Sequence, residues 1–507
     1  MSNLLKLCLF ATGFAGIVAE FVLGTLASYF LGNAVLQWTL IISLMLFAMG
    51  VGSRLSRYLV SHLLDTFAVL EYALSLLCGA SVLIAYTLSP FVNNVAVVIY
   101  PLAIAIGLLI GMEIPLIARV NAAYEELRVN IASVMESDYY GALFGGLFFA
   151  FIGLPYLGLT YTPLFLATLN FVVASFFLFR CRASLYAPRL LLGLAVSVGA
   201  GLFGLGLWAE PIVLYGEQAL YRDTVILVKQ TRYQRIVMTR WQDDYWLFIN
   251  GKEQFSSYDE ERYHEPLVHP ALALLGHREE VLILGGGDGL ALREVLKYPD
   301  VRRVTLVDLD PEMTDLASSH PVLMRLNRGS LNDPRVTVVN EDAFSFLLGT
   351  THLFDAIIID LPDPSSIELS RLYSLEFYRL SRKHLKRGGT LVTQATSPFF
   401  SLKAFLSIVK TLAKAGFSVL PYHNHVPTLG EWGFVLGVDA TLMDPSTLKE
   451  IVPHLPFVDV ETRFLNQEAM ISMVHFGKGI FETEVKVNRQ SAQVLQEYYR
   501  KGRWEIY

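Results

Sequence analysis

The stretch VLILGGGDGLALREVLKYPDVRRVTLVDLD, residues 281–310, decides the fold of the C-terminal half of this chain. It begins with a short apolar run, residues 281–284, which predicts a buried parallel strand. A glycine-rich turn and a helical pattern follow, which is the first unit of a Rossmann-like sheet, where glycines let the backbone approach a nucleoside at the helix N-terminus. A second strand, residues 304–307, ends in Asp308, about 20 residues after the glycines, where an acid typically holds ribose hydroxyls.

The composition divides the chain into two halves. At 507 residues the chain is too long for one domain, and its 53% hydrophobic content and mean hydropathy of +0.45 are too high for a soluble protein. Charged residues are scarce up to about Trp208, whereas the sequence beyond Glu210 has the composition of a soluble α/β domain. The net charge of −6 argues against nucleic-acid binding. The three cysteines show no motif spacing and lie in the apolar half: Cys8, Cys78 and Cys181.

The apolar half predicts a multi-pass protein of the cell inner membrane, because about seven of its stretches are long enough, at about 20 residues, to cross a bilayer. Lys and Arg of the short loops all fall on one side, which places the N-terminus in the cytoplasm. An odd number of spans would put the soluble half outside, whereas a nucleoside ligand is expected inside the cell, so the face that this half occupies stays open. The expected spans are residues 5–31, 34–51, 67–88, 95–118, 139–159, 163–179 and 190–208.

Three acidic residues lie inside these apolar spans: Glu20, Glu71 and Glu113. An ionisable residue within a membrane is costly and is a functional candidate by default. A protonated carboxyl group hydrogen-bonded to a neighbouring helix is an equal alternative, and the sequence leaves both open.

In the soluble half, an N-terminal β-region leads into a helix-opening segment that presents Tyr263 and His264 together. Beyond the glycine turn, the predicted strands keep ending in acids. Because the carboxyl ends of parallel strands meet at one edge of a sheet, we expect these acids to converge on one cleft. Such a cleft attracts a polycation, and its carboxylates can hold ammonium groups and accept a proton from an attacking amine. The acids are Asp288, Asp308, Asp342, Asp360 and Asp363.

Residues 221–478 carry a series of motifs that resembles the polyamine aminopropyltransferases, the spermidine synthase family. The motifs are TRYQ, YHE, GGGDG, LVDLD, NDPRV, IIDLPDP, LYSLEFY, LKRGGTLVTQ and VPT followed by WGF. The whole chain is similar to the bacterial subgroup in which a multi-span membrane domain precedes the synthase. The resemblance implies transfer of an aminopropyl group from decarboxylated S-adenosylmethionine to an amine such as putrescine, releasing methylthioadenosine, with no metal or redox cofactor.

The resemblance also implies roles for individual residues. Asp288 is expected to hold the aminopropyl ammonium, Asp308 the ribose, and Asp342 with Ala343 the adenine. The donor-binding residues are expected to be Gln234, His264, Gly285, Asp288, Asp308, Asp342 and Ala343. The acceptor-binding residues are expected to be Tyr263, Asp288, Asp360 and Asp363, with Asp360 as the proton acceptor.

The chain departs from the family pattern in two places and extends beyond its usual end. Ser366 and Ile367 stand where the family has Gly-Pro, and the loop at residues 428–431 lacks the family's acceptor-contacting tyrosine. The acceptor, putrescine or a similar diamine, is therefore left open. Residues 490–507 form an amphipathic aromatic tail that we expect to pack on the membrane half.

Together these observations predict a multi-span α-helical membrane domain followed by an α/β Rossmann-like domain of the methyltransferase type with a small N-terminal β-region. The expected limits are 1–210 for the membrane domain, 211–270 for the β-region, 271–480 for the Rossmann-like domain and 481–507 for the tail. Contact with membrane lipid is expected, and a homo-oligomer through the synthase domain stays open.

Two other functions are alternatives to an aminopropyltransferase. The first is a methyltransferase, which Asp288 argues against because it would repel the carboxylate of methionine. The second, of another class, is a polyamine transporter or sensor that binds ligand without catalysis. Such a protein would be expected to lose the proton acceptor, whereas Asp360 is present.

Overall fold

The computed structural model describes residues 2–32, 34–92, 94–457 and 460–504. The chain forms two compact units, Met1–Arg240 and Trp241–Tyr507. The finer domain limits expected from the sequence remain a prediction.

The first unit is built from long apolar helices. Within the described residues, six helical segments are long and apolar enough to cross a membrane, and one of them, Leu127–Ser184, runs for 58 residues. The expected spans 139–159 and 163–179 both lie in that segment. The described part of the chain therefore has six such segments where the sequence predicts about seven spans. The helices are α1 (Ser2–Leu31), α2 (Ala34–Ser56), α3 (Leu63–Leu88), α4 (Ala96–Asn121), α5 (Leu127–Phe148), α6 (Gly158–Cys181) and α7 (Pro188–Leu220), with a π-helical stretch (Phe149–Leu157) between α5 and α6.

The 58-residue segment changes direction without a loop. α5 runs alongside α1 in the same direction, with Gly141 against the backbone of Phe10 and Gly145 against that of Phe14. At Gly158 the backbone adopts φ +63°, a conformation that favours glycine, and α6 then returns antiparallel to α3.

Contacts with α3 show that α1 and α7 point the same way. Asp65, in the first turn of α3, accepts a 2.8 Å hydrogen bond from the backbone N–H of Ala187, just before α7 begins. Tyr86, near the end of α3, packs on Phe30 at the end of α1, with ring centroids 5.2 Å apart. Gly216, near the end of α7, lies against the same Tyr86. The start of α1 and the end of α7 therefore lie at opposite faces of the helical bundle.

Two of the three apolar-span acids are fully buried. Glu71 accepts a 3.3 Å hydrogen bond from the hydroxyl of Thr12. Among the described residues, neither carboxylate oxygen of Glu113 has a hydrogen-bond partner, and Glu20 is half-buried. A functional role and a protonated structural carboxyl both stay predictions for these acids.

Two antiparallel hairpins follow α7. The first pairs β1 (Thr224–Gln230) with β2 (Arg235–Trp241), and the second, in the α/β unit, pairs β3 (Asp244–Ile249) with β4 (Lys252–Ser256). These hairpins are the small β-region that the sequence predicts.

In the described part of the second unit, seven strands form one sheet in the order β10-β11-β9-β8-β5-β6-β7. The five strands from β9 to β7 are parallel, whereas β10 and β11 are antiparallel. The strands are β5 (Glu280–Gly285), β6 (Arg303–Asp308), β7 (Val336–Asn340), β8 (Phe354–Asp360), β9 (Leu385–Gln394), β10 (Phe417–Val426) and β11 (Gly430–Asp439). This sheet confirms the expected α/β Rossmann-like domain.

Helices cover both faces of this sheet, so the central strands are buried on both sides and are almost continuously apolar. In β5 and β8 the runs at residues 281–284 and 356–359 are fully buried. The helices are α8 (Glu261–Ala273), α9 (Leu290–Leu296), α10 (Pro311–Ser319), α11 (Pro321–Leu326), α12 (Ala343–Gly349), α13 (Ile367–Ser370), α14 (Leu375–Lys383), α15 (Leu402–Lys414), α16 (Pro445–Ile451), α17 (Gln467–Met473) and α18 (Leu495–Arg500).

The C-terminal tail packs within the α/β unit. Leu495 and Tyr499 of α18 are buried in the core that also contains α15. The Trp504 indole N–H donates a 2.9 Å hydrogen bond to the carbonyl of Tyr499, and the backbone N–H of Arg503 donates one of 2.7 Å to the carbonyl of Phe400. The expectation that the tail packs on the membrane half is therefore wrong, because its apolar side chains complete the core of the domain that precedes it.

Candidate active site

The glycine turn after β5 brings the ends of three strands together. Gly285 pairs with Asp360 at the end of β8, and a Cβ built on Gly285 would lie only 2.1 Å from the carbonyl oxygen of Asp360. Gly285, Gly286 and Gly289 have φ values of +82°, +65° and +82°, which favour glycine. At Gly287 a Cβ would lie 2.6 Å from Oδ2 of Asp308. Glycines therefore allow the acids at the ends of β6 and β8 to lie against the turn.

Asp308 is oriented by two backbone groups. The N–H of Gly287 donates a 3.1 Å hydrogen bond to its Oδ2, and the N–H of Asp310 donates one of 2.9 Å to its Oδ1. Burial raises the pKa of Asp308 to about 6, and the negative charges of Asp310 and Asp288 also raise it. The carboxylate at the end of β6 thus has a fixed position beside the glycine turn.

Asp288 lies within the turn itself. Its Oδ1 accepts a 2.8 Å hydrogen bond from the backbone N–H of Leu290, and its carbonyl accepts one of 2.9 Å from the side chain of Asn327. Burial raises the pKa of Asp288, while the neighbouring His264 lowers it. Asp288 interacts electrostatically with Asp308 on one side and with Asp360 on the other.

Asp360 ends β8 and contacts a tyrosine from α8. The Tyr263 hydroxyl donates a 2.8 Å hydrogen bond to Oδ1 of Asp360. Burial raises the pKa of Asp360 to about 6; the charge of Asp288 adds to this rise, whereas His264 and the Tyr263 hydrogen bond oppose it. A carboxylate with this pKa is mostly ionised at neutral pH and is a stronger base than an exposed one.

His264 is held by an ion-pair chain that the sequence did not reveal. Its Nδ1 lies 2.9 Å from Oε2 of Glu260, and Arg293 contacts both carboxylate oxygens of Glu260 at 2.8 Å. Burial by itself lowers the pKa of His264, but Glu260, Asp288 and Asp360 together raise it to about 9. The side chain is therefore an imidazolium at neutral pH, beside two of the cleft acids. The i,i+4 spacing of Glu260 and His264 is the signal that could have identified this pair.

Asp363 lies in the loop after β8 and contacts residues from distant parts of the chain. The Gln394 side-chain amide, at the end of β9, lies 3.4 Å from its Oδ1 and donates a 2.7 Å hydrogen bond to the carbonyl of Leu361. Tyr499 and Lys252 both interact electrostatically with Asp363. Burial raises the pKa of Asp363, while Lys252 lowers it. Sequence reasoning assigned no site role to Gln394, Tyr499 or Lys252.

Asp342 and Ala343 lie where α12 begins. Asp342 caps the helix, with Oδ1 accepting a 3.0 Å hydrogen bond from the N–H of Ser345, and its Oδ2 pairs with Arg371. Ala343 is buried as the first residue of α12. Contact of these two residues with adenine stays a prediction.

Gln234 belongs to the first unit, in the turn between β1 and β2. Its backbone N–H donates a 3.0 Å hydrogen bond to the hydroxyl of Thr231, and its carbonyl accepts one of 2.8 Å from the N–H of Thr231. Its expected contact with the donor stays a prediction.

The two departures from the family pattern both have local roles in the structure. The hydroxyl of Ser366 caps α13 by accepting a 3.2 Å hydrogen bond from the N–H of Leu369. Thr428 is tied to Asp259 through its backbone N–H (2.8 Å) and its hydroxyl (2.9 Å).

The α/β unit thus places seven of the expected site residues at one edge of its sheet or on the adjoining α8. Within the described ranges, no group of three or more His, Cys, Asp or Glu side chains is arranged to hold a metal ion. The seven are Tyr263, His264, Gly285, Asp288, Asp308, Asp360 and Asp363.

The sequence is similar to known proteins over almost its whole length. Residues 260–450 match the model of the spermine/spermidine synthase domain. The chain is 43% identical to polyamine aminopropyltransferase 2 of Aquifex aeolicus (strain VF5), covering 99% of both proteins, and 41% identical to polyamine aminopropyltransferase 2 of Ralstonia nicotianae, covering 98% of both. The crystal structure of spermidine synthase from Thermotoga maritima matches 51% of this chain and 87% of its own, with 27% identity and a TM-score of 0.46. The two curated relatives therefore extend over the apolar helices as well as the α/β unit.

Proposed function

The chain belongs to the polyamine aminopropyltransferase family, and we propose that it transfers the aminopropyl group of decarboxylated S-adenosylmethionine to putrescine or a similar diamine. It is thus a transferase of polyamine biosynthesis. The observation that carries the proposed substrates is a row of four acids, Asp308, Asp288, Asp360 and Asp363. Asp288 interacts electrostatically with both Asp308 and Asp360, and Tyr263 interacts with both Asp360 and Asp363. A donor with a sulfonium and an ammonium, followed by a diamine, supplies cationic groups along such a row.

The donor is proposed to occupy the half of the cleft around the glycine turn. Asp308, held by the N–H groups of Gly287 and Asp310, presents a fixed carboxylate to the ribose hydroxyls. Asp288 lies between Asp308 and Asp360 and is proposed to hold the ammonium of the aminopropyl group. Asp342 with Ala343 is proposed for the adenine, and Gln234 with His264 for the nucleoside thioether.

The reaction is a displacement at the carbon next to the sulfonium. The lone pair of the acceptor nitrogen forms the new C–N bond, the C–S bond breaks, and its electron pair stays on sulfur to give methylthioadenosine. The proton lost by the nitrogen goes to Asp360. Because the sulfonium already makes the carbon electrophilic, alignment of the two partners supplies much of the rate.

The surroundings of Asp360 suit a proton acceptor. Its pKa of about 6 leaves it ionised at neutral pH, and the Tyr263 hydroxyl orients it. The imidazolium of His264, anchored by Glu260 and Arg293, favours the ionised forms of both Asp360 and Asp288. In this proposal His264 positions the two carboxylates and also contacts the aminopropyl donor.

The acceptor is proposed to lie between Asp360 and Asp363. Its reacting nitrogen is held by Asp360 and Tyr263, and its second ammonium by Asp363, which is supported on the far side by Gln394.

The apolar helices indicate association with a membrane. We propose that this is the cell inner membrane, with the N-terminus in the cytoplasm. The support is the one-sided placement of Lys and Arg in the loops, including Arg54, Arg119 and Arg180.

A direct assay tests the proposed activity. The purified full-length protein in detergent is incubated with decarboxylated S-adenosylmethionine and diamines of three to five carbons, and the products are analysed by mass spectrometry. We expect an aminopropylated amine and methylthioadenosine in equal amounts. S-adenosylmethionine as donor is the matched control and should give no product. If no diamine is converted, or if S-adenosylmethionine serves as well, the proposal is wrong.

A further inference from the structure

A tyrosine from the C-terminal tail and a lysine from β4 contact each other near Asp363. The ammonium of Lys252 lies 3.4 Å from the hydroxyl of Tyr499 and 4.7 Å from the centroid of its ring. Tyr499 and Lys252 both interact electrostatically with Asp363. The lysine donates to the tyrosine, and its positive charge is near enough to Asp363 to interact with the carboxylate.

The position of Tyr499 is well defined. Its side chain is only 8% exposed and packs in the core beside Leu495, and its ring lies 4.8 Å from that of Trp504. Lys252 is the first residue of β4 and remains exposed to solvent. The pair therefore joins a buried ring to an exposed lysine.

We propose that Tyr499 and Lys252 set the length of the acceptor and restrict the enzyme to short diamines. This rests on the proposed function, in which the second ammonium of the acceptor reaches Asp363. A triamine such as spermidine would extend past Asp363 and bring its third ammonium against Lys252. That contact of like charges disfavours the longer substrate more than the shorter one, and the ring of Tyr499 blocks the same direction sterically.

The contacts of Asp363 support this division. Oδ1 faces the amide of Gln394, and Tyr499 interacts electrostatically with the same carboxylate. Because Lys252 donates to the hydroxyl of Tyr499, the carboxylate keeps lone pairs for one ammonium of a diamine. The arrangement gives the second ammonium of the acceptor a partner in Asp363, and it places the like charge of Lys252 against the third ammonium of a longer amine.

The test compares two variants with a matched control. Lys252→Met removes the charge and keeps the length of the side chain, and Tyr499→Phe removes the hydroxyl and keeps the ring. Lys501→Met is the control, because this tail lysine is 67% exposed and pairs with Glu497 of α18. The measured quantity is the ratio of kcat/KM for spermidine to kcat/KM for putrescine, with thermal unfolding to confirm that each variant folds.

We expect Lys252→Met to raise this ratio by about fivefold or more, as for a charge contact that water partly screens, and to leave the KM of the donor unchanged. Tyr499→Phe is expected to raise the KM for putrescine with little change in kcat. If Lys252→Met changes the ratio no more than Lys501→Met does, the proposal is wrong.

Equilibrium binding separates this proposal from the proposed activity. Putrescine and spermidine are titrated by calorimetry into each protein saturated with methylthioadenosine, which requires no turnover. Preference for putrescine in the wild type and a relative gain for spermidine in Lys252→Met support the length limit even in a preparation without activity. Equal relative affinities in the two proteins would overturn it, whereas failure of the activity assay alone bears on the proposed function.

Discussion

The hydroxyl of Tyr263 donates a 2.8 Å hydrogen bond to Oδ1 of Asp360 and so joins α8 to the carboxyl end of β8. The other oxygen, Oδ2, lies beside the glycine turn, where a Cβ on Gly286 would be 3.1 Å away. The backbone carbonyl of Asp360 accepts a 2.9 Å hydrogen bond from the N–H of the same Gly286. A tyrosine from a helix and a glycine from the neighbouring strand end therefore fix the orientation of the proposed base.

This hydrogen bond gives a prediction for the pH dependence of the reaction. The ionised form of Asp360 is the active one, so kcat/KM should fall as the pH drops through about 6. The Tyr263 hydrogen bond lowers the pKa of Asp360, and Tyr263→Phe should therefore move the acidic limb to higher pH and reduce activity at neutral pH by about tenfold. Tyr422→Phe is the control, since its hydroxyl donates to the carbonyl of Pro266 instead. An unchanged limb in Tyr263→Phe would contradict the role of this bond.

The position of Asp288 predicts that its substitution weakens the binding of decarboxylated S-adenosylmethionine more than that of methylthioadenosine. Asp288→Ala should weaken binding of decarboxylated S-adenosylmethionine by about tenfold to a hundredfold, because a hydrogen bond to a charged group contributes roughly 1.5–3 kcal/mol. Methylthioadenosine has no aminopropyl ammonium and should bind almost as before. Calorimetry with both ligands measures the difference, and equal weakening of the two would remove Asp288 from this role.

The ion pair between His264 and Glu260 predicts a pH dependence of stability. The pKa of His264 is raised from 6.5 to about 9 in the folded chain. Its contribution is therefore fully present below pH 6.5 and is lost as the pH rises through 9, on the order of 1–3 kcal/mol. The thermal unfolding midpoint of the full-length protein should fall across this window, and His264→Asn should remove that slope.

His425, whose side chain is 63% exposed, provides the control for this measurement. His425→Asn should keep the decline between pH 6.5 and 9. A wild-type midpoint that is flat over this range, or a slope that survives in His264→Asn, would show that the imidazolium is not held as the geometry indicates.

The directions of α1 and α7 predict the topology of the helical bundle. Because both helices run parallel to α3, the start of α1 and the end of α7 lie on opposite faces of the bundle. The placement of Lys and Arg puts the start of α1 in the cytoplasm. An impermeant thiol reagent on intact cells should label Arg222→Cys, after α7, and not Ser61→Cys, after α2; both positions are exposed.

The native cysteines, Cys8, Cys78 and Cys181, are buried, and the unsubstituted protein is the control for labelling. Labelling of Ser61→Cys from outside would reverse the orientation. Labelling of Arg222→Cys only after permeabilisation would place the end of α7 in the cytoplasm and contradict the reversal at Gly158.

The elements that local pattern determines were predictable from the sequence. Burial requires the apolar residues at 281–284, and positive φ favours the glycines of the turn. The end of the next strand carries the acid Asp308, so each requirement is visible in the residue types. The acids at the ends of β5, β6 and β8 followed because parallel strands share one carboxyl edge.

Other features depend on which distant surfaces meet, and the residue pattern does not encode this. The spacing of Leu495 and Tyr499 indicates a buried face, but burial against the α/β core and burial against lipid have the same apolar signature. For the same reason the interaction of Tyr499 with Asp363 is not predictable from the sequence. The two spans between residues 139 and 179 were expected to be separate, whereas a π-helical stretch and Gly158 join them without a loop.

The most direct test of the account is the effect of Asp360→Asn on product formation. The amide keeps the shape of the side chain and removes the base. We expect kcat with decarboxylated S-adenosylmethionine and putrescine to fall by about 10²–10⁴-fold while methylthioadenosine binds with nearly wild-type affinity. The aminopropylated product and methylthioadenosine are quantified together by mass spectrometry. Retention of more than about a tenth of the wild-type turnover would contradict the assignment of Asp360 as the proton acceptor.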